Sequence, residues 1–255
     1  ASGEEALERI ALEVDESGED LTNPVNSVGR PVADEGSTRL RLIEYIELGT
    51  FTTNFKQPNG KPKVETAPRV SFGFELSGKN HPPMEYDGEK VPHVIRIKTK
   101  KGMHAKSGYI QVFKGMTGDY SEAKNFVALL GKAATGKVIH DTWDKPDGTK
   151  GKRATLGNGK DGYTIESATY EDKMDGEIKT VPVDSPISEL RLFLWDRPDL
   201  EQWDSLYIDG TWDNGDVKNE WQERIKRAEN FKGSPIYNLL IESGRADEVE
   251  LQQFE

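Results

Sequence analysis

The first half of the chain contains three segments in which apolar and polar residues alternate with a period of two, as expected of β-strands with one buried face. They are residues 39–49, 69–76 and 94–101. Each segment has an apolar side and an opposite side that carries Arg or Lys. The first alternation is imperfect, because Glu44 falls on its otherwise apolar side.

Other segments space their apolar residues as an amphipathic helix does, most of them behind a Ser that can cap the helix. A hairpin is predicted where two further strand-like runs, 137–143 and 152–158, flank a loop containing Pro and Asp-Gly. The predicted helices are residues 2–14, 121–133, 217–232 and 236–243.

Three strands, a helix and then a hairpin follow one another in the order of an OB-fold, a small Greek-key barrel whose ligand face lies on its second and third strands and flanking loops. We therefore expect a mainly β protein with α extensions. The predicted organisation is an acidic N-terminal helix and arm (1–35), an OB-fold domain (36–170), a helical Trp-rich extension packing on the barrel or on a partner subunit (171–244), and an acidic tail (245–255).

Charge is distributed unevenly along this acidic chain, whose net charge is -11. Residues 1–35 and 166–255 carry net charges of -8 and -12, whereas residues 36–165 carry +9. Within the basic middle, Lys90–Gly118 contains seven Lys or Arg and no Asp or Glu. Segregation of this kind indicates a partner with negative charge, since it adds nothing to the fold itself.

Single-stranded nucleic acid binds to positive grooves that follow its phosphates and to aromatic rings on which its bases stack. The outward sides of the three strands, the loop after the first strand, the segment after the third and the predicted hairpin all offer such residues. The candidate DNA-binding residues are Arg41, Tyr45, Phe55, Lys56, Lys61, Lys63, Arg69, Arg96, Lys98, Lys100, Lys106, Trp143, Lys150, Lys152 and Arg153.

Metal, cofactor and catalytic signals are sparse. The chain has no Cys, and its four His residues lack the spacing of a metal site. Residues 209–220 match an EF-hand loop at several ligand positions, but Asn214 replaces the glycine that the loop requires. Nucleophile-elbow and phosphate-loop motifs are absent. We expect no cofactor and no enzyme activity, with a metal-dependent nuclease built from distant carboxylates as an open alternative.

No apolar run approaches the roughly 18 residues that a membrane span needs. The first residues are acidic and amphipathic, unlike the basic and then apolar pattern of a signal peptide. The absence of Cys suits a reducing compartment. These features favour a protein that does not contact membranes and works in a cytoplasm.

The segments "RLRLIEYIELGTFTTNF", "PRVSFGFELSG", "VIRIKTKKGMHAKSGYIQVFKGM" and "VALLGKAATGKVIHDTW" occur here in an order and spacing that resembles a family of phage-encoded single-stranded DNA-binding proteins. The likeness covers about residues 36–165. It implies an OB-fold that coats single strands during phage DNA replication or recombination, in the cytoplasm of the bacterial host and without catalysis. By position, its contact surface would be the outward strand residues and the two loops named above.

The chain's end is also similar to the acidic tails by which many single-stranded DNA-binding proteins recruit replication partners. Phe254 is the aromatic residue of this tail, although Glu255 follows it. The resemblance implies that Phe254 binds replication or recombination proteins. An alternative from the residues alone is a phage structural or assembly protein whose basic surface meets an acidic partner, and a homo-oligomer through the Trp-rich region is a further expectation.

Overall fold

The computed structural model describes residues 31–251, except 58, 87, 213 and 214. The predicted N-terminal helix and most of its arm, and the last four residues with Phe254, lie outside the described residues. From Ala33 onward the chain forms one compact unit.

Strands dominate the described part of the chain, and helices are few and short. The helices are α1 (Gly108–Thr117), α2 (Leu200–Ser205), α3 (Glu220–Lys226) and α4 (Pro235–Glu242), followed by a 3₁₀ turn at Ala246–Val249. The strands are β1 (Gly36–Lys56), β2 (Pro62–Ser77), β3 (Met84–Tyr86), β4 (Glu89–Val91), β5 (Val94–Lys100), β6 (Ala133–Asp144), β7 (Lys150–Thr155), β8 (Gly157–Asn158), β9 (Gly162–Tyr163), β10 (Glu166–Ser167), β11 (Thr169–Glu171), β12 (Ile178–Thr180) and β13 (Arg191–Phe193).

The main sheet runs in the order β10-β6-β1-β2-β5, with every neighbouring pair antiparallel. β7 extends it as a hairpin from β6, and β13 pairs with β1 in parallel. The expectation of a mainly β protein with a few helices is confirmed. The predicted hairpin and the first three strands are present, although β1 and β2 are longer than their alternating segments.

One core fills the inner face of this sheet and is rich in aromatic rings. Phe126 is its hub, with ring centroids 4.5 Å from Phe72, 5.0 Å from Tyr109 and 5.2 Å from Tyr45. The helix α1, which follows β5 in the chain, packs against this core and buries Val112 in it. Aromatic pairs at these separations add to the burial of their apolar surface.

The predicted helix over 121–133 is wrong, because residues 125–131 form turns. Their backbone pairs with β1 instead: Gly131 N–H donates to Leu42 O at 2.7 Å, and Leu42 N–H donates to Lys132 O at 3.1 Å. The turns direct Phe126 and Leu129 into the core, whereas Val127, which the helical spacing places on the same face as Phe126, is exposed. Hydrogen bonds to a neighbouring strand satisfy backbone N–H and C=O groups as well as the hydrogen bonds of a helix do.

A second core lies on the opposite face of β1. There Ile46 and Leu48 pack with Phe193 and with residues of the C-terminal helices, among them the fully buried Trp203 and Trp221. β1 is therefore covered on both faces, and residues 42–49 are all buried. A strand buried on both sides needs no polar face, which explains why its alternation is imperfect.

A bulge in β1 decides which residues reach which core. The register of β1 against β2 shifts between Leu42 and Glu44, leaving Ile43 as the extra residue. Because side chains alternate with a period of two, one inserted residue exchanges the faces of the residues that follow it, here up to the next register shift between Glu47 and Gly49. Tyr45 consequently enters the inner core, and Ile46 joins the outer one.

The same bulge places Glu44 on the outer face in a row with its sheet neighbours. Glu44 is paired in register with Arg191 on β13 and with Gly73 on β2, and Gly73 is paired in turn with Arg96 on β5. The carboxylate crosses over Gly73 to reach Arg96: a Cβ at residue 73 would lie 2.5 Å from Glu44 Oε2. Gly73 is thus required by the space that the carboxylate occupies.

We predict that Gly73→Ala lowers the free energy of unfolding by roughly 1–3 kcal/mol, the usual cost of forcing extra volume into a packed site. Urea unfolding followed by circular dichroism measures it. Gly102→Ala is the matched control, because a Cβ there finds its nearest neighbour at an ordinary 3.6 Å. Equal stability of the two variants would contradict the role given to Gly73.

Candidate nucleic-acid interface

The cations predicted on the outward side of β2 and β5 are present there, but carboxylates within the same chain bind most of them. Arg96 donates from Nε and Nη2 to the two oxygens of Glu44 at 2.8 and 3.0 Å. Lys100 Nζ lies 3.3 Å from Glu65 Oε2, and Arg69 Nη2 donates to Thr53 Oγ1 at 2.9 Å. These contacts hold the sheet together and reduce the charge that an external anion would meet.

Glu44 is the most buried of these acids, with a side chain that is 1% exposed. Burial alone would raise its pKa, but Arg96 and Arg191 outweigh burial and hold the pKa of Glu44 below its ordinary value of 4.5. Arg191 Nη1 donates to Glu44 Oε1 at 3.1 Å. The carboxylate is therefore charged in the folded protein and joins three strands.

The two candidates on β1 do not face an external ligand. The Arg41 guanidinium donates to three backbone carbonyls, those of Asp184 and Gly131 at 2.9 Å and that of Val183. The expected outward position of Tyr45 is wrong. The bulge at Ile43 turns its ring into the inner core, where its hydroxyl pairs with that of Tyr109 at 3.0 Å.

The loop candidates lie at the far end of the β1–β2 hairpin. Lys56, Lys61 and Lys63 are exposed there, and Lys63 lies 3.6 Å from Glu65. Phe55 pairs with Lys63 in backbone register, but its side chain is outside what the structure describes. Lys106 is exposed just before α1. The structure does not bring these residues into the lining of the groove described next.

The β6–β7 hairpin presents its aromatic candidate on a flat surface. The Trp143 indole lies over Gly151, where it leaves no room for a Cβ, and the residue is 46% exposed. The Arg153 guanidinium is 6.0 Å from the centre of this ring and donates to Asp141 Oδ2 at 3.1 Å. The exposed part of the indole is accessible to a stacking partner.

The other two hairpin candidates differ in their surroundings. Lys150 Nζ lies 2.5 Å from Asp144 Oδ1, an ion pair in which both side chains are largely exposed. Such a pair contributes little to stability and leaves both groups accessible. Lys152 is exposed and has no ion-pair partner among the described residues.

A groove of about 380 Å³ runs between β5 and β7 and brings candidates from both elements together. Arg96 and Lys98 line one side, and Arg153 with Asp141 lines the other. Lys98 has no ion-pair partner among the described residues, unlike its neighbours on β5. Burial, and next the positive charge of Arg224, lower its pKa below the ordinary value of 10.5. An exposed ammonium that lines a groove and has no counterion there favours an incoming anion.

Sequence patterns missed two residues of this groove, Asn158 and Tyr163. Both lie within the segment "GNGKDGY", in which Asn158 Oδ1 accepts hydrogen bonds from the N–H groups of Lys160 and Asp161 at 2.9 and 2.7 Å. The repeated Gly residues in that segment indicate that the backbone passes close to another group, but they do not identify the group. Burial raises the pKa of Tyr163.

No protein-family model, curated protein or solved structure matches this chain. Within the described residues, no group of three or more His, Asp or Glu side chains is placed to hold a metal ion. Asp213 and Asn214 of the calcium-loop likeness lie outside those residues. None of the described helices is long and apolar enough to cross a membrane.

We predict that Glu44→Gln destabilises the protein by about 3–5 kcal/mol at neutral pH, because it leaves two Arg residues without their buried counterion. The lowered pKa of Glu44 means that its carboxylate stabilises the fold above pH 4.5, and that this contribution is lost as the pH falls further. The difference in unfolding free energy between wild type and variant should therefore narrow below pH 4.5.

Urea titrations at several pH values, with the exposed Glu89→Gln as control, measure this difference. A difference between wild type and Glu44→Gln that stays constant from neutral pH to about pH 3, well below the ordinary Glu pKa of 4.5, would refute the charged triad.

Proposed function

We propose that the protein binds single-stranded DNA, with little sequence preference, through the groove between β5 and β7. The observation that carries the proposal is Lys98, an exposed cation with no ion-pair partner among the described residues, which lines the same groove as Arg153. Trp143 lies near Arg153 on the same hairpin and is partly exposed.

The topology supports this proposal. β1, β2, β5, α1, β6 and β7 follow one another as the strands and helix of an OB-fold do, with β1 pairing both β2 and β6. We interpret the sheet as a barrel of that kind, in which β5 and β7 are the strands that approach each other where it closes. The groove would then border β5, the third of these strands, one of the two whose face OB-folds use for ligands.

The chemistry of the groove suits an unpaired strand better than a duplex. Cations attract phosphates, which are the same in every sequence. An exposed indole stacks on a base only when that base is free of its own stack, and every base offers such a face. Lys98, Arg153 and Trp143 together therefore favour single strands without selecting a sequence.

Binding without catalysis fits a role in coating DNA during phage replication or recombination, which is what the sequence resemblance implies. A surface that binds an acidic protein would use the same cations but would not need the open indole of Trp143. This difference separates the proposal from the assembly-protein alternative.

Tryptophan fluorescence during titration with a thymine oligomer, at low and moderate salt, tests the proposal. We expect saturable quenching that weakens as salt rises and that far exceeds the response to a duplex of equal length. Absence of a response from the folded protein at low salt, or an equal response to duplex, would refute it.

We predict that Lys98→Glu combined with Arg153→Glu weakens oligomer binding by roughly tenfold or more, since each charged hydrogen bond is worth about 1.5–3 kcal/mol. The slope of log K against log salt should fall by about 0.7 for each phosphate that the variant no longer neutralises. Anisotropy of a labelled thymine oligomer measures both.

The matched control is Lys79→Glu with Lys137→Glu, which changes the net charge equally but alters a different cleft, lined also by Ser37 and Asn80. If both double variants bind equally weakly, only the overall charge matters and the groove is not the site.

A further inference from the structure

A second cleft opens on the other side of Lys98, between the sheet and α3. Its volume is about 560 Å³, and Lys98 and Phe51 from the sheet line it together with Trp221, Arg224 and Arg227 from the C-terminal region. We call it the α3 cleft. Lys98 lines both this cleft and the groove between β5 and β7, so the two concavities meet at one cation.

The α3 cleft has an exposed aromatic wall. Trp212 is 59% exposed on a short loop, which is held by an isolated bridge between Thr211 and Val217 and by the hydrogen bond from Trp212 N–H to Asp216 O at 2.7 Å. Lys218 Nζ lies 5.0 Å from the centre of the indole. The α3 cleft therefore offers an accessible indole close to its cations.

Trp221 forms the floor, and it shows that this part of the sheet is covered. Its ring is buried over β5, with Arg96 and Lys98 each 5.5 Å from its centre. Trp221 Nε1 and Ser71 Oγ are buried polar atoms without a hydrogen-bond partner among the described residues. The C-terminal helices thus occupy a face of β2 and β5 that the sequence assigned to DNA.

Charge in the α3 cleft is mixed. Arg224 and Arg227 are exposed and form no ion pair among the described residues, and Arg224 helps to lower the pKa of Lys98. On the acidic side, Glu223 pairs with Lys226, and Asp216 and Glu220 also line the cleft. An anion entering here would relieve the repulsion between Lys98 and Arg224.

We propose that the α3 cleft holds one nucleotide of the same DNA strand, with its base stacked on Trp212 and its phosphate on Arg224 and Arg227. The strand would run from the groove past Lys98 and across the C-terminal helical region. This inference rests on the proposed function. It gives that region a part in binding, where the sequence indicated only packing.

The size of the α3 cleft agrees with such an occupant, since sites for small ligands measure roughly 300–1,000 Å³. A free mononucleotide offers the same base and phosphate chemistry as one unit of a strand. Thymidine monophosphate is therefore tested beside the thymine oligomer, to distinguish the two sources.

The test measures the affinity of a labelled thymine oligomer for Trp212→Ala and for Arg224→Glu with Arg227→Glu. We expect Trp212→Ala to weaken binding by roughly 5- to 150-fold, the range for loss of one stacked base. The number of nucleotides covered per protein at saturation should also fall, which a purely structural role would not change. Glu220→Gln should strengthen binding, because it removes a negative charge beside Lys98.

Tyr86→Ala, which truncates an equally exposed aromatic residue outside the α3 cleft, is the control for Trp212→Ala. Urea unfolding confirms that each variant remains folded. If both cleft variants keep wild-type affinity and coverage while Lys98→Glu with Arg153→Glu binds more weakly, the nucleotide site in the α3 cleft is refuted. DNA binding in the groove between β5 and β7 is then still supported.

The remaining outcomes are equally decisive. Failure of the wild-type chain to bind the oligomer would remove the proposed function itself. Saturable binding of thymidine monophosphate without binding of the oligomer would overturn the strand path in favour of a site for free nucleotides.

Discussion

The Glu44 carboxylate, buried between Arg96 and Arg191, is the interaction on which the remaining structure depends. It joins β5, β1 and β13 across a gap that only Gly73 leaves open. Burying a carboxylate is costly unless it is paired, so the two guanidinium groups and the carboxylate must be placed together. The bulge at Ile43 achieves this, because it directs Glu44 to the outer face of the sheet.

The same bulge separates the two cores. Tyr45 turns inward to the aromatic cluster around Phe126, while Ile46 and Leu48 turn outward to meet the C-terminal helices. Through β13, the Glu44 network also ties the beginning of that helical region to β1. One inserted residue thus explains how a single long strand serves both layers.

Local sequence patterns predicted much of the secondary structure but not these long-range contacts. The alternation in β2 and β5, the β6–β7 hairpin and the capped helix α4 all follow from neighbouring residues. The bulge at Ile43 does not, because its cause is a carboxylate that pairs with residues 52 and 147 positions away. The helix predicted over 121–133 fails for the same reason, because the end of that segment pairs with β1 and this long-range contact leaves no mark on the spacing of neighbouring residues.

Because of ion pairing, the net charge counted from the sequence differs from the charge that is accessible to a ligand. The basic middle of the chain has a net charge of +9, yet Arg96, Lys100 and Arg69 are bound to groups of the sheet. What remains accessible is a smaller set around Lys98, flanked by Arg153 on one side and Arg224 on the other. What distinguishes this surface is less the number of its cations than their position beside an exposed indole.

Photo-cross-linking of a thymine oligomer that carries 5-iodouracil, followed by mass spectrometry of the linked peptides, would locate the strand on the protein directly. If the groove binds single-stranded DNA, cross-links will form on Trp143 or Tyr163, and the proposed strand path adds Trp212. Cross-links confined to peptides of the cleft lined by Arg39, Lys79 and Lys137, or none at saturating oligomer, would contradict binding in the groove.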